Sequence, residues 1–312
     1  MMRAWLLMAG LLLAGPLHAE DAGSTLMPSV GATAIYSDDS EGFRTSRLGV
    51  AGFTRYEHAD QLSGVQFTHH QFQQDDWRRE AEQLSLIHRD YSPRAGTGLL
   101  VDAGLNTQGG RTLLVTDSSW SRRLRPSTGI EAFINRDWVE TRTALDAGTS
   151  HTFVGADIEQ QIHPKFSLLG MLGRQQFSDG NGRNHLRLRA VYQPMMDSGL
   201  TLQARYRSFR SEEDRAGLGY FNPLDYQERM FAIGWRKKFE PGWTLKGTLG
   251  TGRQTVDDDP DSPTRIAELS VTSPYQNRLF FRLNLGYNRS ASFQGPDYSY
   301  RYVKAEWVFA LR

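Results

Sequence analysis

Cysteine is absent from this chain of 312 residues. That excludes a disulfide staple, a thiolate metal site, a thiol nucleophile and an acylated N-terminal cysteine. Lysine is scarce: Lys165, Lys237, Lys238, Lys246 and Lys304 are the only ones, and the remaining basic residues are arginines. No charge of one sign prevails, with 36 basic residues against 35 acidic and a net charge of +1. That balance argues against a nucleic-acid partner. Long apolar runs are also missing after the first twenty residues, and mean hydropathy is -0.52.

The exception is the N-terminus. Met1-Met2-Arg3 precedes an apolar stretch from Ala4 to Gly15 and then Pro16-Leu17-His18-Ala19. This is the order of a secretory signal: a charged start, an apolar centre and a small-residue cleavage site. The apolar run falls short of the roughly 20 residues a spanning helix needs. Removal after Ala19 is expected, leaving residues 20–312 as a single domain. Two classes of exported protein fit the rest: a secreted soluble β protein, or an outer-membrane β-barrel whose polar lumen keeps hydropathy low although the chain crosses lipid.

What is present is alternation with a period of two. At the C-terminus Val303, Ala305, Trp307, Phe309 and Leu311 fall on one face. Tyr302, Lys304 and Glu306 fall on the other, with Val308 and Ala310 as apolar exceptions. Val30, Ala32, Ala34 and Tyr36 show the same pattern near the start. First and last strands of this kind can pair and leave a sheet without free edges. Between them the pattern predicts sixteen strands, near 26–37, 43–57, 63–73, 77–91, 96–106, 111–121, 128–138, 150–162, 165–177, 184–194, 200–210, 226–239, 243–254, 264–273, 278–289 and 298–312. Segments 77–91 and 111–121 alternate poorly, and 165–177 is apolar on both faces. No amphipathic helix of useful length competes. The fold class expected is all-β: an antiparallel transmembrane barrel of about sixteen strands with both termini periplasmic.

Connections support this expectation. Short turns such as Ser92-Pro93-Arg94, Arg125-Pro126-Ser127, His163-Pro164-Lys165 and Glu240-Pro241-Gly242 alternate with longer polar loops. The longer set spans 137–149, 211–225, 256–263 and 290–297. Outer-membrane barrels sort their connections in this way. Trp235, Phe239, Trp243, Tyr192, Phe166, Tyr275 and Trp307 are expected near the membrane interfaces. Acidic residues gather in the long loops (Asp38-Asp39-Ser40-Glu41, Asp257-Asp258-Asp259) and basic ones at the short turns (Arg122-Arg123, Lys237-Lys238).

Little here reads as catalysis. His69 and His70 are adjacent, so on a strand they point to opposite faces and cannot share a metal. Ser85, His88 and Asp90 offer a serine, histidine and carboxylate on one weak strand, without a nucleophile elbow or oxyanion site. No cofactor, metal or catalytic residue is expected. The better candidates are the side chains of the polar faces. Arg187, Arg189, Arg205, Arg207, Arg236, Lys246 and Arg282 would project into the lumen, and Asp157, Glu159, Glu131, Asp102, Glu268 and Glu306 would line other walls. Such rows suit either a guided path for polar solutes or cross-wall ion pairs that hold the barrel's shape.

The stretch Gly219-Tyr220-Phe221-Asn222-Pro223-Leu224-Asp225-Tyr226 leads into a strand ending Gly234-Trp235-Arg236, followed by Phe239-Glu240-Pro241-Gly242-Trp243. It resembles an element in the C-terminal barrels of exopolysaccharide-export porins. These are the poly-N-acetylglucosamine porin (PgaA-like) and the cellulose export subunit (BcsC-like), together with small standalone YaiO-type outer-membrane barrels. The motif covers about 25 residues, and the strand count agrees with the sixteen-strand barrels of that group. The resemblance implies a polysaccharide path, with Tyr220, Phe221, Asn222 and Pro223 on a gating or partner-binding loop that could fold inward as a plug. The secretion porins carry a periplasmic tetratricopeptide region ahead of the barrel, whereas here only Glu20 to Thr25 precedes the first strand. A separate periplasmic tetratricopeptide protein would then have to supply it. The expected partners are outer-membrane lipid and lipopolysaccharide, the barrel-assembly machinery, and a polysaccharide or small polar solutes. Two other readings stay open: a general diffusion pore or surface receptor, and an outer-membrane enzyme acting on lipid or glycan.

Overall fold

The computed structural model describes residues 27–213, 218–275, 278–292 and 295–311. The expected signal segment and its cleavage point after Ala19 lie outside the described residues. The period-two segments form sixteen strands in chain order. They are β1 (Ser29–Asp39), β2 (Arg44–His58), β3 (Gln61–Gln74), β4 (Trp77–Ser92), β5 (Thr97–Gln108), β6 (Arg111–Arg125), β7 (Thr128–Trp138) and β8 (Ser150–His163). The second half comprises β9 (Phe166–Phe177), β10 (Gly182–Tyr192), β11 (Leu200–Ser211), β12 (Asp225–Phe239), β13 (Trp243–Val256), β14 (Ser262–Thr272), β15 (Leu279–Ser292) and β16 (Gly295–Ala310). Each strand pairs antiparallel with its sequence neighbours, and β16 returns to β1 to close the barrel. The seam runs in unbroken register from Ser29 opposite Ala310 to Asp39 opposite Tyr300. No helix among the described residues is long and apolar enough to cross a membrane.

The two faces of the wall separate as the alternation requires. Leu48, Val50, Leu84, Leu86, Leu172, Phe231 and Leu249 are exposed on the outside. Inside, the arginines and carboxylates are buried or half-buried. An exposed apolar belt of this extent on a closed barrel is the surface that lipid covers. Trp235, Phe239, Trp243, Tyr192 and Trp307 lie on that outer face, as expected. Tyr275 does not. It packs against the interior cluster of Phe53, Tyr56, Leu62, Phe280 and Val308 at the turn end, and its hydroxyl is 3.5 Å from Arg282 Nη2. The same cluster explains the two apolar exceptions on the last strand, since Val308 and Ala310 help fill the lumen there.

Two of the expected long loops need correction, 290–297 and 256–263, the second being only residues 257–261 between β13 and β14. Residues 290–297 are not a long loop, because β15 and β16 continue toward each other until Ser292 pairs with Gly295. The sorting of loop lengths therefore rests on two connections, 139–149 and 212–224. Arg142–Ala147 form a short helix, α1, inside the first of these loops, too short to compete with the strands. The Thr141 hydroxyl caps its start by accepting from the Ala144 amide, and Gly148 at φ 74° ends it. Glycine is suited there because the left-handed conformation carries no Cβ penalty.

Candidate functional site

The interior of β10 and β11 is built on a like-charge arrangement. Arg187 stands opposite Arg207, and Arg189 opposite Arg205. Four guanidinium groups are thereby stacked in two rows on adjacent strands, an arrangement that destabilises a sheet unless carboxylates or solvent offset it. Glu228, on the next strand, sits opposite Arg207 in register, and its carboxylate is 3.4 Å from Arg207 Nε. Arg205 donates to the Gln203 amide oxygen from Nε at 3.0 Å and from Nη2 at 2.7 Å. Glu268, from β14, completes a small cavity with the four arginines, Glu228, Leu169 and Met230. Its free space is about 40 Å³, room for a few waters at most.

The other predicted lumen residues are interior but fall into separate groups. Asp157 stands opposite Glu131 on β8 and β7, and Glu131 accepts from the Ser121 hydroxyl at 2.8 Å. Glu159 is 3.7 Å from Arg123 Nη1. Arg236 and Lys246 face each other across β12 and β13. Arg282 and Glu306 are 3.5 Å apart, and Glu306 also pairs with Arg89 at 2.7 Å. Asp102 lies on the inner face of β5. Expected Arg rows opposing acid rows are thus replaced by interleaved charges, one paired group near the turn end and the arginine quartet near mid-barrel.

An aromatic arc borders the quartet. Phe153 and His185 are 4.9 Å apart, His185 and Phe209 5.3 Å, and Phe209 stacks on Tyr226 at 4.7 Å. Arg207 lies 4.6 Å from the Tyr226 ring and Arg187 6.0 Å from the Phe153 ring. Neither this arc nor Glu228 is among the expected lumen residues. Both share the parity of the lumen-facing arginines, so the same alternation contains the signal.

The motif Tyr220 to Pro223 is folded inward and held by Arg183, a residue with no exposed surface. Arg183 Nε donates to Ser211 Oγ at 3.1 Å, and Nη2 donates to the Phe221 carbonyl and to Asn222 Oδ1. Its guanidinium also lies 5.0 Å from the Phe177 ring and 4.9 Å from the Phe209 ring. Tyr220 stacks on Phe177 at 4.5 Å and donates its hydroxyl to Asp179 at 2.8 Å. Burial pushes the Tyr220 phenol up to about 12, so the donor proton is kept at neutral pH. Asn181 Nδ2 donates to Asn222 Oδ1 at 2.7 Å. Gly219, at φ 71°, presses against Thr143 of α1, where a Cβ would collide.

Helix α1 ties this segment to the opposite wall. Ala144 packs with Tyr220 and Phe177, while Leu145 packs with Phe72, Ala81, Leu113 and Trp138. Gln108 donates to the Leu145 carbonyl at 3.2 Å, and Trp77 Nε1 donates to Asp146 at 3.1 Å. Arg79 pairs with the same carboxylate. The two long loops therefore form one cap inside one mouth of the barrel.

Ser85, His88 and Asp90 do not come together as a catalytic set. Ser85 is buried on the inner face of β4, whereas His88 bonds Ser63 at 2.8 Å on the outer one. The strand's pleat separates them. His69 pairs with Glu82 outside the barrel while His70 is buried within it. No cluster of metal-ligating side chains occurs among the described residues.

No protein-family model matches the chain, and no curated protein matches it in sequence. Among solved structures, a bacterial polysaccharide outer membrane secretin superposes with a TM-score of 0.67 at 12% identity, over 92% of this chain and 99% of that one. OpdQ of Pseudomonas aeruginosa gives 0.45 at 11% identity, covering 92% and 99% of the two chains. The KdgM porin in complex with disordered oligogalacturonate gives 0.39 at 10% identity, covering 90% and 99%. The first similarity establishes the fold, that of a closed sixteen-strand outer-membrane barrel; the other two carry no further argument.

Proposed function

We propose that the protein is an outer-membrane channel that passes a polysaccharide, closed at rest by its loop cap at one mouth and by the apolar cluster around Phe280 and Val308 at the other. The observation that carries this reading is the arginine quartet set against the aromatic arc. Guanidinium forks bind carboxylates in bidentate fashion and donate singly to hydroxyls, and ring faces take the apolar faces of sugars. The excess of Arg at mid-barrel favours an anionic polymer over a neutral one. In this reading both termini and the short turns are periplasmic, and the cap faces outward. The barrel-assembly machinery would insert the chain, and a separate periplasmic tetratricopeptide protein would deliver the polymer. The residues of the path are Arg187, Arg189, Arg205 and Arg207, with Asp157, Glu159, Glu268, Arg236, Lys246, Arg282 and Glu306 along it. Tyr220 to Pro223 form the gate.

The test is conductance of the purified protein in planar bilayers. The native chain should open rarely. Arg183→Ala, which removes the clamp on Phe221 and Asn222, should open it at least about tenfold more often, since charged hydrogen bonds of this type contribute roughly 1.5–3 kcal/mol each. Uronic-acid oligosaccharides should block the opened pore at lower concentration than neutral ones. Stable native conductance that no oligosaccharide blocks would favour a general diffusion pore instead. Lipid or glycan hydrolysis by the purified chain would favour an enzyme.

A further inference from the structure

The outer wall carries a charge cluster that the lumen reading does not use. On the face turned to lipid, the strands end toward the capped mouth in outward-pointing arginines. Most of these have a carboxylate beside them. Arg78 pairs with Glu80 at 2.6 Å, Arg174 with Glu212 at 2.6 Å, Arg210 with Asp225 at 3.2 Å and Arg301 with Asp38 at 2.5 Å. On β12 to β14 the pattern breaks. Arg229, Arg253 and Arg265 are exposed, and none has an ion-pair partner among the described residues. Arg229 stands directly opposite Arg253. Arg265 stands opposite Arg289 on β15. Arg253 pairs with Pro263, two residues from Arg265, so the three exposed guanidinium groups share one patch. Of the carboxylates on neighbouring loops, Asp225 pairs with Arg210, Asp257 accepts from the Asp225 amide at 2.8 Å and Asp261 accepts from the Thr255 hydroxyl at 2.7 Å, while Asp258 and Asp259 of the same loop make no ion pair with the three arginines among the described residues.

Like charges placed directly across a sheet oppose folding, and Arg229 opposite Arg253, with Arg265 alongside, calls for an anion. What lies beside the cluster narrows the choice. A groove of about 830 Å³ runs along the outer wall, lined by Ala204, Phe231, Leu249, Ala267 and Tyr287, with Arg265 among its lining residues. Small side chains lower its floor, and the large apolar ones stand exposed beside it, Phe231 at 75%. Along β12 the outward residues read Arg229, Phe231, Ile233, Trp235 and then Lys237. Eight residues separate the two charges, which at strand rise and barrel tilt is roughly 20 Å along the membrane normal. The arginines therefore stand at the headgroup level on the capped side, and the groove at the level of acyl chains.

We infer that Arg229, Arg253 and Arg265, with the groove beside them, form a binding site for a phosphorylated glycolipid of the outer leaflet, the lipid A part of lipopolysaccharide. Its phosphates bridge the three exposed arginines and an acyl chain fills the groove. The site rests on the outward orientation of the capped mouth in the proposed function.

The full chain, purified in mild detergent, is mixed with bisphosphorylated lipid A, with dephosphorylated lipid A or with phosphatidylglycerol, and bound lipid is counted by native mass spectrometry. The native protein should retain one bisphosphorylated lipid A through delipidation and lose the dephosphorylated form. R229Q/R253Q/R265Q should weaken retention at least tenfold while migrating as a folded barrel on unheated gels. Leu249→Trp, which fills the groove and leaves the charges in place, should weaken it as well. Equal retention by the triple variant, or equal retention of phosphatidylglycerol, overturns the site. Orientation is read separately. The chain has no cysteine, so Asp259→Cys provides a single thiol in the loop beside the cluster for a membrane-impermeant maleimide on intact cells. Surface labelling supports the outer-leaflet occupant. A loop that reacts only after permeabilisation overturns the orientation, and with it lipid A as the occupant, whatever the binding assay gives.

Discussion

Arg183 and Arg205 face the same lumen and do different work. Arg205 has its fork on Gln203 and lies beside the mid-barrel cavity, whereas Arg183 is sealed beneath the cap. Arg205→Glu should leave folding intact, because it removes one of two directly opposed positive charges, and should shift ion selectivity toward cations. Reversal potentials of the opened channel in a salt gradient measure this, and an unchanged potential would place Arg205 off the conducting path. Tyr220 gives a pH signature. Its phenol is raised above the ordinary value near 10 to about 12 by burial, so the folded cap holds a proton that the released segment gives up. Its contribution to closure is complete below pH 10 and disappears as pH rises through 12. Channel opening should increase across that window in the native chain, and Tyr220→Phe should lack the step. At this scale the sequence was partly legible. The run Arg187, Arg189 extends back in parity to Arg183, but a strand begun at residue 184 leaves Arg183 in the preceding turn. Its role depends on Phe221 and Asn222, some forty positions away, and no local pattern encodes that contact.

The strands were legible because lipid and lumen impose opposite chemistry on alternate residues, and this constraint acts on every strand. Even the poorly alternating β4 and β6 and the doubly apolar β9 conform. On β9, Leu169 and Met171 are buried inside while Leu168 and Leu172 face outward. Leu169 and Met171 look anomalous in the sequence because part of the interior is apolar packing rather than water. The loops were less legible. Composition marks 290–297 as a polar loop, but backbone pairing carries the strands to Ser292 and Gly295. Polar residues at strand ends beyond the membrane carry the same composition as a loop. Helix α1 escaped notice because six residues are too few for a helical period to show. The face assignment itself can be tested on β15. Leu283 shares the outward parity of Leu279 and Tyr287 and pairs with Ala305 and Val271. Leu283→Arg should cost about 2–4 kcal/mol at mid-membrane and lower the yield of folded barrel from refolding into lipid vesicles. Arg at the neighbouring inward position, Asn284→Arg, should be tolerated.

Closure is a property of the whole chain, since β1 and β16 meet only when every intervening strand has paired. A wall open at one strand would leave its backbone amides and carbonyls bare in hydrocarbon, at several kcal/mol for each unsatisfied group. The seam avoids this through the register from Ser29–Ala310 to Asp39–Tyr300, and it is reinforced at the turn end. There Val308 and Ala310 enter the interior cluster, and Glu306 binds both Arg89 of β4 and Arg282 of β15. The last strand therefore seals the sheet edge, fills one end of the lumen and anchors an ion-pair group that reaches across the barrel. Ending the chain at Tyr302 removes all three contributions. It should give a protein that is synthesised but no longer shows the compact, heat-sensitive band of a closed barrel on unheated gels. Glu306→Gln, which keeps the strand and its pairing and removes only the charge, should still close but unfold at lower temperature. If the truncated chain kept the heat-sensitive band, β1 would have to be closing on a strand other than β16, and the even strand number that puts both termini at one end would no longer follow.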